Sequence, residues 1–118
     1  MKTTDSLSLS FRFEALDIAL QASAEAMTLV DGIPAAMRPI GQQAVRAASS
    51  IVLNLAEGAG RVGRDRVHLF RIAYGSAKET SAALALLQRM GAIDSAQAEQ
   101  TTSLLDRVQA MTWRLCHR

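Results

Sequence analysis

The sequence predicts an all-α protein, an antiparallel up-down-up-down bundle of four helices. Hydrophobic residues make up 49% of the 118 residues but aromatic residues only 4%, so the core must consist of aliphatic side chains and alanine. The apolar–polar alternation typical of half-buried strands is nearly absent. Apolar residues recur instead every three or four positions in four segments, which are joined by short links containing glycine or proline.

The first predicted helix runs from about Arg12 to Val30. Its expected core stripe consists of Phe13, Leu16, Leu20, Ala24, Met27 and Val30. Ile18 and Leu29 are apolar exceptions at the edge of the opposite, solvent-facing side. The segment 31–34 should end the helix, because glycine favours a left-handed cap and proline cannot continue a helix. Residues 1–11 show no period and predict a flexible N-terminal arm, so the single domain should span residues 12–118.

The second helix is predicted from about Arg38 to Glu57, with Pro39 tolerated in its first turn. Its expected core face comprises Ile40, Ala44, Val45, Ala47, Ala48, Ile51, Val52 and Leu55. Leu53 is an exception, since it falls among the polar residues on the opposite side. The small alanines should let a neighbouring helix approach closely, which indicates a central position in the bundle.

The third helix is predicted from Gly63 or Arg64 to Met90, capped by Gly91. Its core stripe is Val67, Phe70, Ala73, Tyr74, Ala77, Leu84 and Leu87. A second apolar strip follows Leu69, Ile72, Ala83, Leu86 and Met90. Two strips exceed what a single bundle core needs, so we expect the protein to self-associate.

The fourth helix should begin at Asp94, which is a good N-cap residue. Its predicted inner face carries Leu104, Leu105, Val108, Met111, Leu115 and Cys116. Trp113 falls on the polar face of this helix. We interpret it as an anchor for a subunit or partner, or as a ring lying over neighbouring Arg and Gln stems.

Charge is distributed unevenly along the chain. Residues 1–33 carry two basic and five acidic residues, whereas residues 34–71 carry six arginines and two acidic residues. This asymmetry indicates an anionic partner or an acidic surface on another copy of the chain. The single cysteine, Cys116, cannot form an internal disulfide, and the sequence shows neither a signal peptide nor a long apolar run. These features favour a cytoplasmic location.

Four basic residues of the third helix should form a ridge. They lie within about 40° of one another and extend over about 38 Å, and we call this set the basic ridge: Arg64, Arg71, Lys78 and Arg89. Together with Arg61, the basic ridge is the predicted nucleic-acid-binding surface, because such a ridge can follow a phosphate backbone. The alternative is a solvated outer face. No interleaved aromatic residues are expected there, so binding should depend little on base sequence.

The turn from Glu57 to Arg61 has two interpretations. Its glycines, Gly58 and Gly60, with arginines beside them, suit a phosphate-binding turn. They also suit a glycine cap between two helices. The cap is favoured, because capping by itself is enough to explain the glycines. The turn is not a P-loop, because the Gly-Lys-Ser/Thr ending and a preceding strand are missing.

Four residues are predicted to lie at an interface between copies: Arg46, Leu53, Glu57 and Trp113. Arg46 should pair with Glu57 of its own chain or of a neighbouring subunit. An enzyme is not expected, because His68, His117 and Cys116 supply neither a metal site nor a catalytic arrangement. We therefore predict no metal and no cofactor.

Three motifs carry a resemblance to a known family. They read Gln43-x-x-Arg46-Ala47-Ala48-x-Ser50-Ile51-x-x-Asn54-Leu55-Ala56-Glu57-Gly58-x-Gly60-Arg61, Phe70-x-Ile72-Ala73-x-Gly75-Ser76 and Leu87-x-x-x-Gly91-x-Ile93. From about Phe13 to its end, the chain resembles the bacterial four-helix-bundle proteins encoded in intervening sequences of 23S ribosomal RNA genes. This family includes the accessory variability determinant of diversity-generating retroelements.

The resemblance implies a bundle that assembles into a ring, commonly a homopentamer. It also implies RNA or DNA as a partner and, for a retroelement-linked member, a reverse transcriptase bound through a basic surface. It assigns no catalytic residues. A purely structural oligomeric assembly without a nucleic-acid ligand is the alternative function.

Overall fold

Four α-helices make up most of the chain. The computed structural model describes residues 13–117, so the predicted arm at residues 1–11 lies outside the described residues, as do Arg12 and Arg118. The helices are α1 (Glu14–Val30), α2 (Arg38–Ala59), α3 (Gly63–Arg89) and α4 (Ser95–Cys116). A 3-10 turn, Ala35–Met37, leads into α2, and residues 13–117 contain no strand. The all-α prediction is confirmed, and each predicted helix end lies within two residues of the observed one.

Each helix packs on the next one in the chain, and α1 also packs on α4, which closes the bundle. Hydrogen bonds mark three of these contacts. Ser23 Oγ in α1 donates to the Ala48 carbonyl oxygen in α2 at 3.0 Å. Gln109 Nε2 donates to Ser81 Oγ at 3.1 Å between α4 and α3. Thr101 Oγ1 in α4 donates to Glu25 Oε1 in α1 at 3.1 Å. Polar groups at these contacts are therefore satisfied by neighbouring helices, as burial requires.

The core on α2, α3 and α4 follows the predicted apolar faces except at Val45, which is exposed, and at Tyr74, which is half-buried. Its largest fully buried apolar side chains are Ile51, Leu55, Phe70, Leu84, Leu87, Leu105 and Val108. Helix α2 buries Ala44, Ala47 and Ala48 as well, so its neighbours pack close to its backbone. The alanine-lined face of the second helix is confirmed, but α2 is not central, because it packs on two helices, as every other helix of the closed bundle does.

The predicted core stripe of the first helix is wrong in part. Leu20 and Ala24 are exposed, and the buried face consists of Ala15, Ala19, Ala22, Ser23, Ala26 and Val30. This face is rotated by about 100° from the predicted one. Ile18 and Leu29, expected at the edge of the solvent-facing side, are half-buried and pack against the core. The physical reason is size, because alanines allow closer approach to α2 and the bulkier side chains flank that contact.

Caps end the helices as predicted. Gly32 follows α1 with φ of 84° and Gly91 follows α3 with φ of 72°, and both values lie in the left-handed region that favours glycine. Asp94 caps α4, since its carboxylate accepts the Gln97 backbone N–H at 2.9 Å. None of the helices between Phe13 and His117 combines the length and the apolar content that a membrane span needs.

Candidate nucleic-acid interface

The family-like motifs hold α2 against α3. Gly58 lies so close to the Phe70 ring that an added Cβ would be 2.6 Å from its nearest carbon atom. Ser76 Oγ donates to Ser50 Oγ at 2.8 Å across the same contact. Asn54 Nδ2 supports Ser50, donating to its carbonyl oxygen at 2.8 Å and to its Oγ at 3.0 Å. These motif residues therefore build the scaffold that presents the outer surface of α3.

The glycine turn after α2 is a helix cap. The backbone N–H groups of Gly60 and Arg61 donate to carbonyl oxygens of the last turn of α2, at 3.0 and 3.1 Å. Arg66 donates through Nε to the Gly58 carbonyl at 3.2 Å and through Nη2 to the Ala59 carbonyl at 3.3 Å. These amides are thus engaged with α2, which agrees with the capping interpretation for Gly60, whereas Gly58 lies inside α2 and is explained by its contact with Phe70. Sequence reasoning missed Arg66, because no spacing rule links it to a turn seven or eight residues earlier.

The basic ridge is exposed along the outer side of α3. No carboxylate of residues 13–117 lies within 4.0 Å of any of its four cationic groups. Arg64 and Arg71 also line an open cleft of about 640 Å³ at the start of α3, together with Gly63, Val67 and His68. The predicted ridge therefore forms one exposed line of positive charge.

Arg61 differs from the ridge. Its guanidinium forms an ion pair with Glu57 at 2.7 Å and lies 3.6 Å from an Asp65 carboxylate oxygen. Two acidic neighbours offset its charge, so it adds less to the local positive potential than the ridge residues. The geometry places Arg61 at the end of the candidate surface as a group already engaged with carboxylates.

The predicted interface residues are all exposed. Leu53 has 64% of its surface exposed, at the middle of the outer side of α2, and Trp113 has 50% exposed. Arg46 borders an open cleft between the end of α1 and the start of α2. The expected pair between Arg46 and Glu57 does not form within the chain, because the two residues lie eleven positions apart on α2, about 16 Å along the helix axis, and Glu57 pairs with Arg61 instead. Pairing between copies stays a prediction.

Aromatic rings do lie beside the basic ridge, so the expectation of none was wrong. The rings of Trp113 and His117 stack with centroids 3.6 Å apart, and Tyr74 lies 5.8 Å from Trp113. Tyr74, predicted to lie in the core, is only half-buried, and Lys78 Nζ lies 5.3 Å from its ring centroid. We call Tyr74, Trp113 and His117 the aromatic cluster. A pattern along α3 alone does not reveal it, because two of its three rings come from the end of α4.

Cys116 lies under the surface next to the aromatic cluster. Burial raises the pKa of its thiol, and the positive charge of Arg71 opposes this shift. The cationic group of Arg71 is thus close to the end of α4. Between residues 13 and 117, no three His, Cys, Asp or Glu side chains come together as a metal ion would require.

Fold and surface together define an all-α four-helix bundle protein with an exposed cationic helix. The model of the family described as 23S rRNA-intervening sequence protein matches residues 12–114. The chain belongs to this family, as its motifs indicated.

A solved structure shows the same fold. The crystal structure of a protein with unknown function from the S23 ribosomal protein family of Bacteroides thetaiotaomicron is similar at a TM-score of 0.77 and 21% identity. The alignment covers 88% of this chain and 99% of that one. At this identity the likeness concerns the fold alone. None of the curated proteins matches the chain.

Proposed function

We propose that the protein is a non-enzymatic, homo-oligomeric nucleic-acid-binding or adaptor protein. The observation that carries the proposal is the basic ridge, an exposed line of four cationic groups without a carboxylate partner among residues 13–117. A straight helix that presents cations on one side suits contact with successive phosphates of a nucleic acid. Arg61 contributes less, since Glu57 and Asp65 already neutralise it.

The proposed assembly is a ring of antiparallel up-down-up-down bundles, a pentamer by family likeness. Short connections and the contacts of each helix with the next support the antiparallel order within one copy. Exposed apolar side chains support self-association: Leu20, Leu53, Val62, Leu86 and Met90. Burying one such side chain between copies contributes about 1.5–3 kcal/mol. Copies of this chain are therefore one proposed partner, and RNA or DNA is the other.

Binding at graded salt concentrations tests the nucleic-acid proposal. Wild-type protein should bind an RNA or DNA duplex at low salt, and log K should fall linearly with log salt concentration. Arg64→Glu and Arg89→Glu, at the two ends of the ridge, should each reduce the slope by about 1 for each phosphate that the variant no longer neutralises. Arg38→Glu makes the same charge change at an exposed position at the start of α2 and serves as the control.

Two results would contradict the proposal. One is the absence of any duplex or single-strand binding by the wild-type protein at low salt. The other is an equal decrease of slope in the Arg38→Glu control and in the ridge variants, because net charge rather than the ridge would then determine binding.

A purely structural assembly is the second candidate. The exposure of Leu53 on the outer side of α2 favours it, because an apolar side chain opposite the core needs another surface to cover it. In this case Arg46→Ala or Trp113→Ala should shift the assembly toward smaller species in light scattering. An unchanged mass for both variants counts against this candidate.

A further inference from the structure

The aromatic cluster is an exposed group of rings where α3 passes the end of α4. Trp113 stands in the middle, with His117 stacked on it at an interplanar angle of 25° and Tyr74 tilted against it at 51°. The backbone carbonyl of Trp113 lies 2.8 Å from His117 Nδ1, which fixes the stacked ring. Trp113 and His117 are exposed, so the cluster presents ring surface to solvent.

This placement distinguishes the cluster from the other described aromatic side chains. Phe13 and Phe70 meet edge to face inside the bundle, with centroids 6.5 Å apart, and Phe70 is buried. Tyr74 and Trp113 lie at the rim instead. Other exposed apolar side chains, such as Leu53 and Leu86, are aliphatic and offer no ring face to a base.

Cations of the basic ridge flank the rings. Lys78 Nζ lies over the Tyr74 ring. Arg71 precedes Tyr74 by one turn on the same helix. Its positive charge acts to lower the pKa of Cys116, which lies at the end of α4. Arg71 also lines the cleft at the start of α3, and Lys78 lies one turn after Tyr74 on the same helix. A nucleic-acid backbone that follows the basic ridge therefore passes beside the aromatic cluster.

Rings next to phosphate-binding cations suit one class of nucleic acid in particular. The bases of a duplex stack on one another and leave only the backbone for the ridge. An unpaired base has a free π face, which stacks on aromatic side chains with little regard to base identity. Cations alone suit either form, whereas cations with rings favour the single strand.

We propose that the aromatic cluster is a stacking platform for an unpaired base, and that the ligand of the basic ridge is single-stranded nucleic acid. The inference deepens the proposed function and depends on it. The base stacks on the exposed rings of Trp113 and His117, while Arg71 and Lys78 contact the flanking phosphates. A subunit interface would instead bury Trp113 together with these charges, and charged groups are depleted in interface cores.

Intrinsic fluorescence tests the platform directly, because Trp113 is the only tryptophan in the sequence. An unstructured RNA or DNA oligonucleotide of about 12 nucleotides should quench Trp113 emission as it binds. A duplex of the same length should bind with little quenching. Strong binding of the oligonucleotide without quenching would overturn the platform.

Variants separate stacking from charge. Trp113→Ala should weaken single-strand binding about tenfold and leave duplex binding and the mass of the assembly unchanged. Trp113→Phe should restore most of the affinity, because it restores a ring. Val45→Ala, which removes an exposed apolar side chain from α2, is the control and should bind like wild type.

The outcomes distinguish this inference from the proposed function. If neither nucleic acid binds the wild-type protein at low salt, the proposed function fails and the inference fails with it. If both bind and Trp113→Ala weakens neither, or weakens both equally, only the platform is overturned. A smaller assembly for Trp113→Ala would assign Trp113 to a subunit interface and also overturn the platform.

Discussion

Replacement of Gly58 by alanine tests the contact between α2 and α3, which presents the basic ridge. A Cβ at this position would lie 2.6 Å from Phe70 Cε1 and 2.9 Å from Cδ1. Real Cβ atoms essentially never approach that closely, and the ring is buried, so it cannot swing into solvent. Overpacking of this kind costs about 1–3 kcal/mol. The gain in helix propensity from Gly to Ala offsets up to about 1 kcal/mol of it.

The expected result is a decrease of about 1–2 kcal/mol in the free energy of unfolding. Gly75→Ala is the matched control, because Gly75 lies within α3 and an added Cβ there meets nothing within 4 Å. This control should gain about 0.5–1 kcal/mol, since only the propensity changes. Urea unfolding followed by far-UV circular dichroism, at one fixed protein concentration, measures both variants.

A double-mutant cycle identifies the cause of the destabilisation. In a Phe70→Leu background the ring edge is absent, so Gly58→Ala should cost less than it does in the wild-type protein. The reasoning is refuted if Gly58→Ala is as stable as Gly75→Ala, or if its cost is the same in both backgrounds. Either result would mean that α2 and α3 do not approach each other at Gly58 as described.

Three further predictions concern the caps and the thiol. Asp94→Ala removes the acceptor for the Gln97 amide and should lower stability by about 1 kcal/mol, measured by urea unfolding. Arg66→Ala should lower stability by about 1 kcal/mol because it removes the hydrogen bonds to the last carbonyls of α2, yet leave the salt slope of nucleic-acid binding unchanged, unlike a ridge variant. Burial raises the pKa of Cys116, and thiolate is the reactive form, so Cys116 should react with a thiol reagent at pH 8 more slowly in folded than in urea-unfolded protein; equal rates would contradict the burial.

Much of the fold follows from the sequence, because the periodicity of apolar residues and the positions of helix-ending residues indicate the same four helices. Gly32, Gly91 and Asp94 mark helix ends through backbone conformation and capping, which are local properties. The core of α3 follows from large residues such as Phe70 and Leu84, whose spacing shows which side is buried. Local signals of this kind need no knowledge of the neighbouring helix.

The sequence-based predictions are wrong where packing against a neighbouring helix determines which side chains are buried. The sequence pattern of the first helix gave weight to Leu20, but the buried face of α1 consists of small residues such as Ala19 and Ala22. Contacts between helices also determine where Tyr74 meets Trp113, and no single-helix pattern contains that information. The basic ridge was predictable because all four of its residues lie on one helix, whereas the aromatic cluster depends on packing between two.

We propose that this bundle exposes more apolar surface than one copy can cover, so that copies assemble and keep the basic ridge facing outward. The most direct test is to purify the protein from cells without nuclease and to record its mass by light scattering together with its absorbance ratio. We expect an assembly whose protein mass is a whole multiple of the chain mass. We also expect nucleic acid to copurify with it and to be released in high salt. A monomer free of nucleic acid would contradict this proposal.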